Sequence, residues 1–218
     1  MVASLSPDQN LNTLLDTVAD SISTHGCVVL DNALPANLAV GLLQHFKSLD
    51  DEKFRRAGIG RENDFQVNRF VRTDEIHWLD GSHPVTREYF EWMEYFREGM
   101  NLRLFLGLFD YECHYAYYDA GAFYKKHVDA FRGSNTRILS TVLYLNPDWT
   151  PDDGGELVMY TPDGQSVIDT IAPRFDRLVV FLSEEFPHEV LPTKVSRYSL
   201  AGWFRKNNSM IDSIDPVL

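Results

Sequence analysis

The feature that most limits the fold of this chain is a change in hydrophobic period at about residue 108. Beyond it, apolar and polar residues alternate in short runs separated by Gly, Pro, Asp and Asn, a pattern typical of strands joined by turns. About eight such runs within about 100 residues, with no helix between them, predict a β-sandwich or barrel of the jelly-roll type. The predicted strands are "YECHYAYY", "FYKKHVD", "RILSTVLYLN", "GELVMY", "QSVIDTIA", "RLVVFL", "HEVLPT" and "RYSLAGWF".

The first half of the chain has the apolar spacing of amphipathic helices. One predicted helix follows a start signal at Ser6-Pro7-Asp8, a second is "LPANLAVGLLQHFKSL", and a third spans about residues 84–101. A short buried strand, "GCVVLDN", separates the first two. We therefore predict an α+β fold in which N-terminal helices buttress a double-stranded β-helix, the jelly-roll core of cupin-like proteins.

The domain organisation is expected to be simple, because the sequence shows no repeat, low-complexity tract or interdomain linker. A single domain would cover residues 1–218. About residues 1–104 would form the helical support and a lid loop, about 105–206 the jelly-roll core, and 207–218 a loosely held tail. The sequence does not indicate an oligomeric state.

Composition and charge disfavour several kinds of partner. The formal net charge of −12 repels polyphosphate, so nucleic acid and anionic membrane surfaces are not expected partners. The sequence contains no signal peptide and no run approaching the roughly 20 apolar residues that span a bilayer. Its two cysteines, Cys27 and Cys113, are too few for a disulfide framework and fit a reducing compartment. These observations together predict a cytoplasmic protein.

A histidine and an aspartate at the end of one predicted strand are candidate metal ligands. His127 and Asp129 are two positions apart, so their side chains share a face. Such a pair alone is more often a buried hydrogen-bonded couple, but His188 near the start of a late strand adds a second imidazole. Two imidazoles and one carboxylate on one face of an octahedron leave three positions open, which is the iron arrangement of oxygenases. A structural zinc would prefer four protein ligands, often with thiolate among them.

An arginine and a tyrosine on two other predicted strands are candidate ligands for a carboxylate. Arg197 lies nine residues beyond His188, and a buried guanidinium is costly unless it is paired. A dicarboxylate would satisfy it through a bidentate ion pair, to which Tyr144 could add its phenol. The alternatives are that Arg197 faces solvent or pairs with a protein carboxylate, and that Tyr144 only packs in the core.

At these residues the chain resembles the 2-oxoglutarate- and Fe(II)-dependent dioxygenases, and more narrowly the prolyl hydroxylases of the hypoxia-inducible-factor type and their bacterial relatives. The similarity runs from about Arg72 to Phe204. It is carried by "RTDEIHWLDG", "YYDAGAFYKKHVDAF", "RILSTVLYLNPDW", "DGGELVMY", "PRFDRLVVFLSEEFPHEVLPT" and "RYSLAGWF". The resemblance implies hydroxylation of an exposed proline in a protein substrate, with Fe(II), 2-oxoglutarate (2OG) and O2, and with ascorbate as a supporting reductant.

The resemblance also implies a role for individual residues. His127, Asp129 and His188 would bind the iron. Arg197 would bind the distal carboxylate of 2OG with the help of the Tyr144 hydroxyl. The implied neighbours of the cosubstrate and of the substrate are Tyr117 near the chelating end of 2OG, Arg72 and Asp74 at the substrate entrance, and Arg137 and Trp203 near the bound peptide.

Three further expectations follow from this resemblance. Ala201 stands where some relatives carry threonine, which leaves the affinity for 2OG open. The loop of about residues 55–72 is predicted to form a lid, because a reactive oxidant must be sheltered. Glu112 and His114 alternate with the assigned pocket residue Tyr117, so they are expected to face outward or toward the helices and to have no metal role.

Other functions remain open from the residues alone. The alternatives are a hydroxylase of a free amino acid or other small molecule, a nucleic-acid demethylase, a zinc hydrolase and a non-catalytic jelly-roll binding module. The acidic balance disfavours the demethylase, and a zinc hydrolase would leave Arg197 without a partner. The presence of all three candidate ligands together with Arg197 argues against a module that has lost catalysis.

Overall fold

Two sheets, antiparallel except for one parallel strand pair at an edge, and three helices make up the computed structural model, which describes residues 2–4, 11–57, 70–130 and 136–207. The predicted start signal before the first helix, most of the predicted lid loop and nearly all of the predicted tail lie outside these residues. The division of the chain into support, core and tail therefore remains a prediction.

The three helices occupy the first half of the chain, as the apolar spacing predicts. They are α1 (Leu11–His25), α2 (Ala36–Ser48) and α3 (Pro84–Leu104). Short 3-10 turns lie at Asp51–Lys53, between α2 and α3, and at Pro151–Asp153. α3 begins where Pro84 fits the first helical position, and the ring of His83 accepts the N–H of Val85. The next residue after the helix, Phe105, caps it with a left-handed φ of 54°.

Twelve strands are described, and eight of them coincide with the runs of alternating residues beyond residue 108. The strands are β1 (Val2–Ser4), β2 (Cys27–Asp31), β3 (Arg55–Arg56), β4 (Glu75–Trp78), β5 (Leu108–Tyr118), β6 (Tyr124–His127), β7 (Arg137–Tyr144), β8 (Leu157–Tyr160), β9 (Val167–Ile171), β10 (Arg177–Leu182), β11 (His188–Val190) and β12 (Arg197–Lys206). The short strand predicted between the first two helices is β2.

The strand order confirms the double-stranded β-helix. The larger sheet has the order β1-β2-β10-β7-β12-β5-β4-β3, and the smaller sheet has the order β6-β11-β8-β9. The four central strands β10-β7-β12-β5 and the four strands of the smaller sheet are the two halves of a jelly roll. Strands β1 and β2 extend the larger sheet on one side, and β4 and β3 extend it on the other. The α+β class is also confirmed.

The larger sheet buries both of its faces, in two separate apolar clusters. One cluster packs the helices against the sheet and includes Tyr115, Leu200 and Phe204. The other fills the space between the two sheets and includes Ala116 and Tyr118. Because fully burying one large apolar side chain stabilises a protein by about 1.5–3 kcal/mol, the two clusters fix which residues of each strand face which side.

No helix in the described part of the chain combines the length and the apolar composition that a bilayer-spanning helix requires.

Asp176, just before β10, is a buried acid whose charge weakens the fold. Its Oδ1 accepts the backbone N–H of Leu34 at 3.0 Å, and its φ of 54° is left-handed. Burial raises the pKa of Asp176 from 3.8 to about 7; hydrogen bonds from Leu34 and Ala33 oppose the rise, and nearby Asp31 adds to it. The folded protein therefore holds this proton more tightly than the unfolded chain does. The resulting stabilisation is complete below the unfolded pKa of 3.8 and is lost as the pH rises through about 7.

Replacing Asp176 by Asn should remove this pH dependence. Asparagine keeps an acceptor for the Leu34 N–H and tolerates the left-handed backbone, but it cannot ionise. We expect the Tm of Asp176→Asn, relative to the wild type, to be higher at about pH 8 than at about pH 5 by a few degrees. Thermal melts followed by circular dichroism measure this, with exposed Asp20→Asn as the control. A difference that stays constant with pH would contradict the assignment.

Candidate active site

Three side chains bring their ligand atoms together between the two sheets. His127 ends β6 and His188 begins β11, and these two residues pair directly in the ladder between the strands. Asp129 follows two residues after β6. Its Oδ1 lies 3.7 Å from His127 Nε2 and 3.8 Å from His188 Nε2. The three ligand atoms lie within 4.8 Å of one another, a spacing that could hold a metal ion.

Both imidazoles are oriented by backbone carbonyls of their own segments. His127 Nδ1 lies 2.8 Å from the carbonyl oxygen of Lys125, and His188 Nδ1 lies 2.9 Å from that of Phe186. A carbonyl oxygen only accepts, so Nδ1 carries a proton in each ring, and in the neutral form the lone pair is on Nε2, the nitrogen on the side of Asp129. Two neutral nitrogen donors and one carboxylate oxygen fit a divalent metal such as Fe(II).

The electrostatics of the triad favour the protonation states that a metal requires. Burial lowers the pKa of His127 to about 3, and the neighbouring His188 adds to this shift. Burial alone would raise the pKa of Asp129, but interactions with His188 and His127 and a hydrogen bond from Ser140 outweigh it and lower the value to about 2. At neutral pH His127 is therefore neutral and Asp129 is charged, so neither needs to lose a proton on binding a metal.

A second cluster is built around the buried guanidinium of Arg197. Its Nε donates to the carbonyl oxygen of Gly155 at 2.8 Å, and its Nη1 donates to Ser199 Oγ at 3.1 Å. Its Cζ lies 4.7 Å from the ring centre of Tyr118 and 5.0 Å from that of Tyr144. Among the described residues, no Asp or Glu carboxylate lies within 4.0 Å of this guanidinium. A charge buried in this way is costly unless a ligand supplies the anion.

The hydroxyl of Tyr144 also lacks a partner. Tyr144 is fully buried, and its Oη makes no hydrogen bond to any described residue. Burial raises the pKa of Tyr144 to about 12, against the opposing charge of Arg197, so the phenol keeps its proton. An unused donor beside a buried guanidinium fits the carboxylate of a bound acid such as 2OG.

The structure corrects the expectation for Tyr117, which was placed in the pocket. The Tyr117 ring packs with the helix-side cluster, 5.6 Å from the ring of Tyr198, and its Oη lies 3.1 Å from Ser196 Oγ. The next residue, Tyr118, is the tyrosine beside Arg197, and these two residues are partners in the ladder between β5 and β12. The error arose because alternation does not reveal which face the helices cover.

Because Tyr118 and not Tyr117 faces the pocket, the expectation for Glu112 and His114 on the same strand is also corrected. Both were expected to face outward or toward the helices, but they lie on the same face of β5 as Tyr118. His114 is buried, 5.5 Å from the ring of Trp203 and 5.0 Å from the exposed ring of Trp78. Neither residue joins a metal cluster; within the described residues, only the triad brings three potential ligands together.

The two residues predicted at the substrate entrance form an ion pair that leads to the triad. Arg72 donates to both carboxylate oxygens of Asp74, at 2.8 and 2.6 Å. The Arg72 guanidinium lies 4.2 Å from the ring centre of Tyr124, which in turn stacks on His127 at 3.6 Å. Arg72 is therefore two contacts, and Asp74 three contacts, away from a candidate metal ligand.

Arg137 and Trp203, predicted near a bound peptide, also lie in contact with each other. The Arg137 guanidinium stacks on the Trp203 ring at 3.6 Å and donates twice to Glu112, at 3.0 and 2.7 Å. Glu112 also pairs with Arg205 at 3.3 Å. The indole of Trp203 adds a small contribution to the lowered pKa of Asp129, while its buried N–H makes no hydrogen bond to a described residue.

Sequence reasoning missed two serines near the triad, one of which contacts Asp129 directly and the other through the first. Ser140 donates a hydrogen bond to Asp129 Oδ2 at 2.6 Å, and Ser183 Oγ lies 2.9 Å from Ser140 Oγ. Two small polar residues, Ser140 and Thr141, within the otherwise apolar run "ILSTVL" of β7 were the available signal. Ser140 could not be read as functional without knowing that its side chain faces Asp129.

Comparison with known proteins agrees with this geometry. Residues 113–205 match the family model of the 2OG-Fe(II) oxygenase superfamily. The crystal structure of a Pseudomonas putida prolyl-4-hydroxylase is 40% identical, with a TM-score of 0.80, over 89% of this chain and 100% of that chain. A Trichoplax adhaerens prolyl hydroxylase, in complex with a peptide fragment of the hypoxia-inducible factor oxygen degradation domain, is 27% identical with a TM-score of 0.81, over 93% of this chain and 96% of that chain. Human Egl nine homolog 1 is 27% identical over 206 residues, which are 89% of this chain and 47% of that protein.

The jelly roll, the triad and these similarities define a metal-dependent oxygenase. The chain belongs to the 2OG-Fe(II) oxygenase superfamily, whose members use Fe(II), 2OG and O2. It spans about half the length of the Egl nine homolog 1 proteins of mouse, rat and human that it matches.

Replacing Asp129 by Ala should abolish metal binding, because it removes the only charged ligand of the triad. Titration of the protein with Co(II), followed by calorimetry or by visible absorption, measures the loss. Asp163→Ala, which removes an exposed carboxylate from a turn, is the matched control and should bind Co(II) like the wild type. Unchanged Co(II) affinity in Asp129→Ala would exclude this aspartate as a ligand.

Proposed function

We propose that the protein is a 2OG- and Fe(II)-dependent prolyl hydroxylase that acts on an exposed proline of a protein substrate. The observation that carries the proposal is the buried guanidinium of Arg197, beside the unsatisfied Tyr144 hydroxyl and in the same core as the triad. This combination provides one place for a divalent metal and another for an acid that would reach it. The similarity to prolyl hydroxylases of Pseudomonas putida and Trichoplax adhaerens supports the narrower activity.

The triad residues His127, Asp129 and His188 would hold the iron. When bound, Fe(II) with 2OG and O2 supplies the oxidising chemistry, which yields succinate, CO2 and a hydroxylated substrate carbon. The protein's own contribution is to orient both rings so that Nε2 faces the metal position, through the contacts of the two Nδ1 atoms, and to keep the carboxylate charged, through the lowered pKa of Asp129. Three ligands on one side leave the other side of the metal to the cosubstrate and O2.

The second cluster would bind and orient 2OG. Arg197 would pair with the distal carboxylate, and Tyr144 would donate its hydroxyl to the same group. The hydrogen bonds from Arg197 to Gly155 and Ser199 fix the direction of the guanidinium before any ligand arrives. Tyr118 takes the place that was assigned to Tyr117 as the aromatic neighbour of the cosubstrate. Such pre-organisation reduces the entropy that is lost on binding.

The surface around the triad would receive the substrate peptide. Its candidate contacts are the Arg72–Asp74 pair, which stacks on Tyr124, and Arg137 on Trp203. The Trichoplax adhaerens relative in complex with a peptide supports a protein substrate over a free amino acid. The lid, oxygen sensing, a cytoplasmic location and a supporting role of ascorbate remain predictions.

Replacing Arg197 by Ala should weaken 2OG binding by about 30-fold or more, because it removes one partner of a buried charge pair. Anaerobic addition of Fe(II) and 2OG to the wild type should produce the weak visible charge-transfer band of a chelated keto acid, and titration of that band gives the affinity. Arg197→Lys should lose less, and Arg103→Ala, on the surface of α3, should behave like the wild type. Absence of the band in the wild type, or wild-type affinity in Arg197→Ala, would contradict the proposal.

The substrate class is tested by mass spectrometry of a cell lysate treated with the Fe(II)- and 2OG-loaded protein. We expect a gain of about 16 Da, one oxygen atom, on prolines of a small set of proteins. The lysate treated with Asp129→Ala is the control. Oxygen added to another residue type would overturn the prolyl assignment while leaving the oxygenase intact, and modification of free amino acids alone would favour a small-molecule hydroxylase.

A further inference from the structure

We infer that Ser140 is a positioning residue for Asp129, and that Ser183 holds the hydroxyl of Ser140 in the direction this requires. The inference rests on the metal site proposed above and adds two residues to it: Ser140, which touches a candidate ligand, and Ser183, which touches Ser140. The contact that carries it is the hydrogen bond of 2.6 Å from Ser140 Oγ to Asp129 Oδ2.

Asp129 lies just outside the strand ladder that carries His127. β6 ends at His127, so the backbone at Asp129 lies beyond the described hydrogen bonds between β6 and β11. Contacts of its side chain therefore help to set the direction of its carboxylate. Ser140, by contrast, lies within β7 and is paired on both sides, with Phe181 on β10 and with Trp203 on β12. A rigid central strand thus orients a carboxylate that follows the end of a strand of the other sheet.

The hydrogen bond makes the two oxygens of the carboxylate unequal. Oδ1 lies 3.7 and 3.8 Å from the two Nε2 atoms, on the side where a metal would be held. Oδ2 receives the Ser140 hydroxyl and is drawn to the opposite side. A charge-assisted bond of this length fixes the rotation of the carboxylate. A carboxylate fixed in this way offers one oxygen to a metal, which leaves the remaining positions for other ligands.

Ser183 is the second hydrogen-bond partner of the Ser140 hydroxyl. The Ser140 hydroxyl can donate to Asp129 Oδ2 at 2.6 Å or to Ser183 Oγ at 2.9 Å. It has one proton, and the shorter bond to the charged carboxylate is the stronger, so we infer that this bond takes the proton and leaves Ser140 Oγ as an acceptor for the Ser183 hydroxyl. Both serines are buried, and the backbone N–H of Ser183 donates to the carbonyl oxygen of Ile138 at 3.0 Å. Buried hydroxyls are costly unless they are hydrogen-bonded, so the chain from Ser183 through Ser140 to Asp129 accounts for both polar groups in an apolar strand region.

The test is a Co(II) titration of Ser140→Ala without 2OG or substrate, read by calorimetry and by the visible d–d bands of Co(II). We expect the affinity to fall by about 10- to 100-fold and the bands to change shape, because the freed carboxylate rotates. Ser140→Thr keeps the hydroxyl and should restore both affinity and spectrum. Thr141→Val is the matched control, because it removes a hydroxyl from the next residue of β7, which faces Tyr111 on the helix side.

The outcomes separate this inference from the proposed function. Wild-type affinity and an unchanged spectrum in a folded Ser140→Ala would overturn the positioning role while leaving the metal site intact. Circular dichroism of the metal-free protein shows whether Ser140→Ala folds. If it does not, Ser183→Ala is tested in its place. Weaker Co(II) binding by Ser183→Ala than by Thr141→Val supports the inference, and equal binding overturns it. If the wild type itself does not bind Co(II), the proposed function fails together with the inference.

Discussion

The register between β12 and its two neighbours is the constraint on which the whole site depends. It places Arg197 opposite Tyr118 on β5 and Ser199 opposite Tyr144 on β7, so one face of three strands forms the guanidinium cluster. A slip of one residue would turn this face toward the helices. The slip is opposed by the helix-side cluster, in which Leu200 is completely buried and pairs with Leu143. Apolar packing on one side of the sheet thus holds a charge on the other.

The two faces of the larger sheet therefore differ in role: one contributes stability and the other carries the candidate site. The helix-side face buries large apolar residues and supplies stability, whereas the face between the sheets carries serines, an arginine and an unsatisfied phenol, and the two imidazoles of the triad belong to the smaller sheet. Burying these polar groups costs free energy, which the apolar contacts around them offset. The carboxylate of 2OG would satisfy both Arg197 and Tyr144, so binding of the cosubstrate would stabilise the protein as well as prepare it for catalysis.

Much of this could be predicted from the sequence, because the relevant information is periodic or chemical. Alternation located the eight core strands, and the chemistry of two imidazoles and a carboxylate singled out residues that the fold does bring together. The sequence could not predict which residues of β5 face the helices and which face the smaller sheet, because "HYAYY" has bulky or polar residues at both sets of alternating positions. Tyr115 packs beneath the helices, and Tyr118 therefore faces the space between the two sheets. Ser140 was missed for a related reason, since a hydrogen bond between distant residues leaves no local pattern.

Two stacks of the same kind connect the proposed substrate entrance to the candidate metal ligands. On one side Asp74 holds Arg72 over Tyr124, which stacks on His127. On the other side Glu112 holds Arg137 over Trp203, whose indole influences Asp129. In each stack an acid fixes an arginine and the arginine covers an aromatic ring, which keeps both planar groups in place. A peptide that displaces or tightens either arginine would therefore act on a metal ligand through a single ring, which provides a direct physical route from substrate contact to the geometry of the triad.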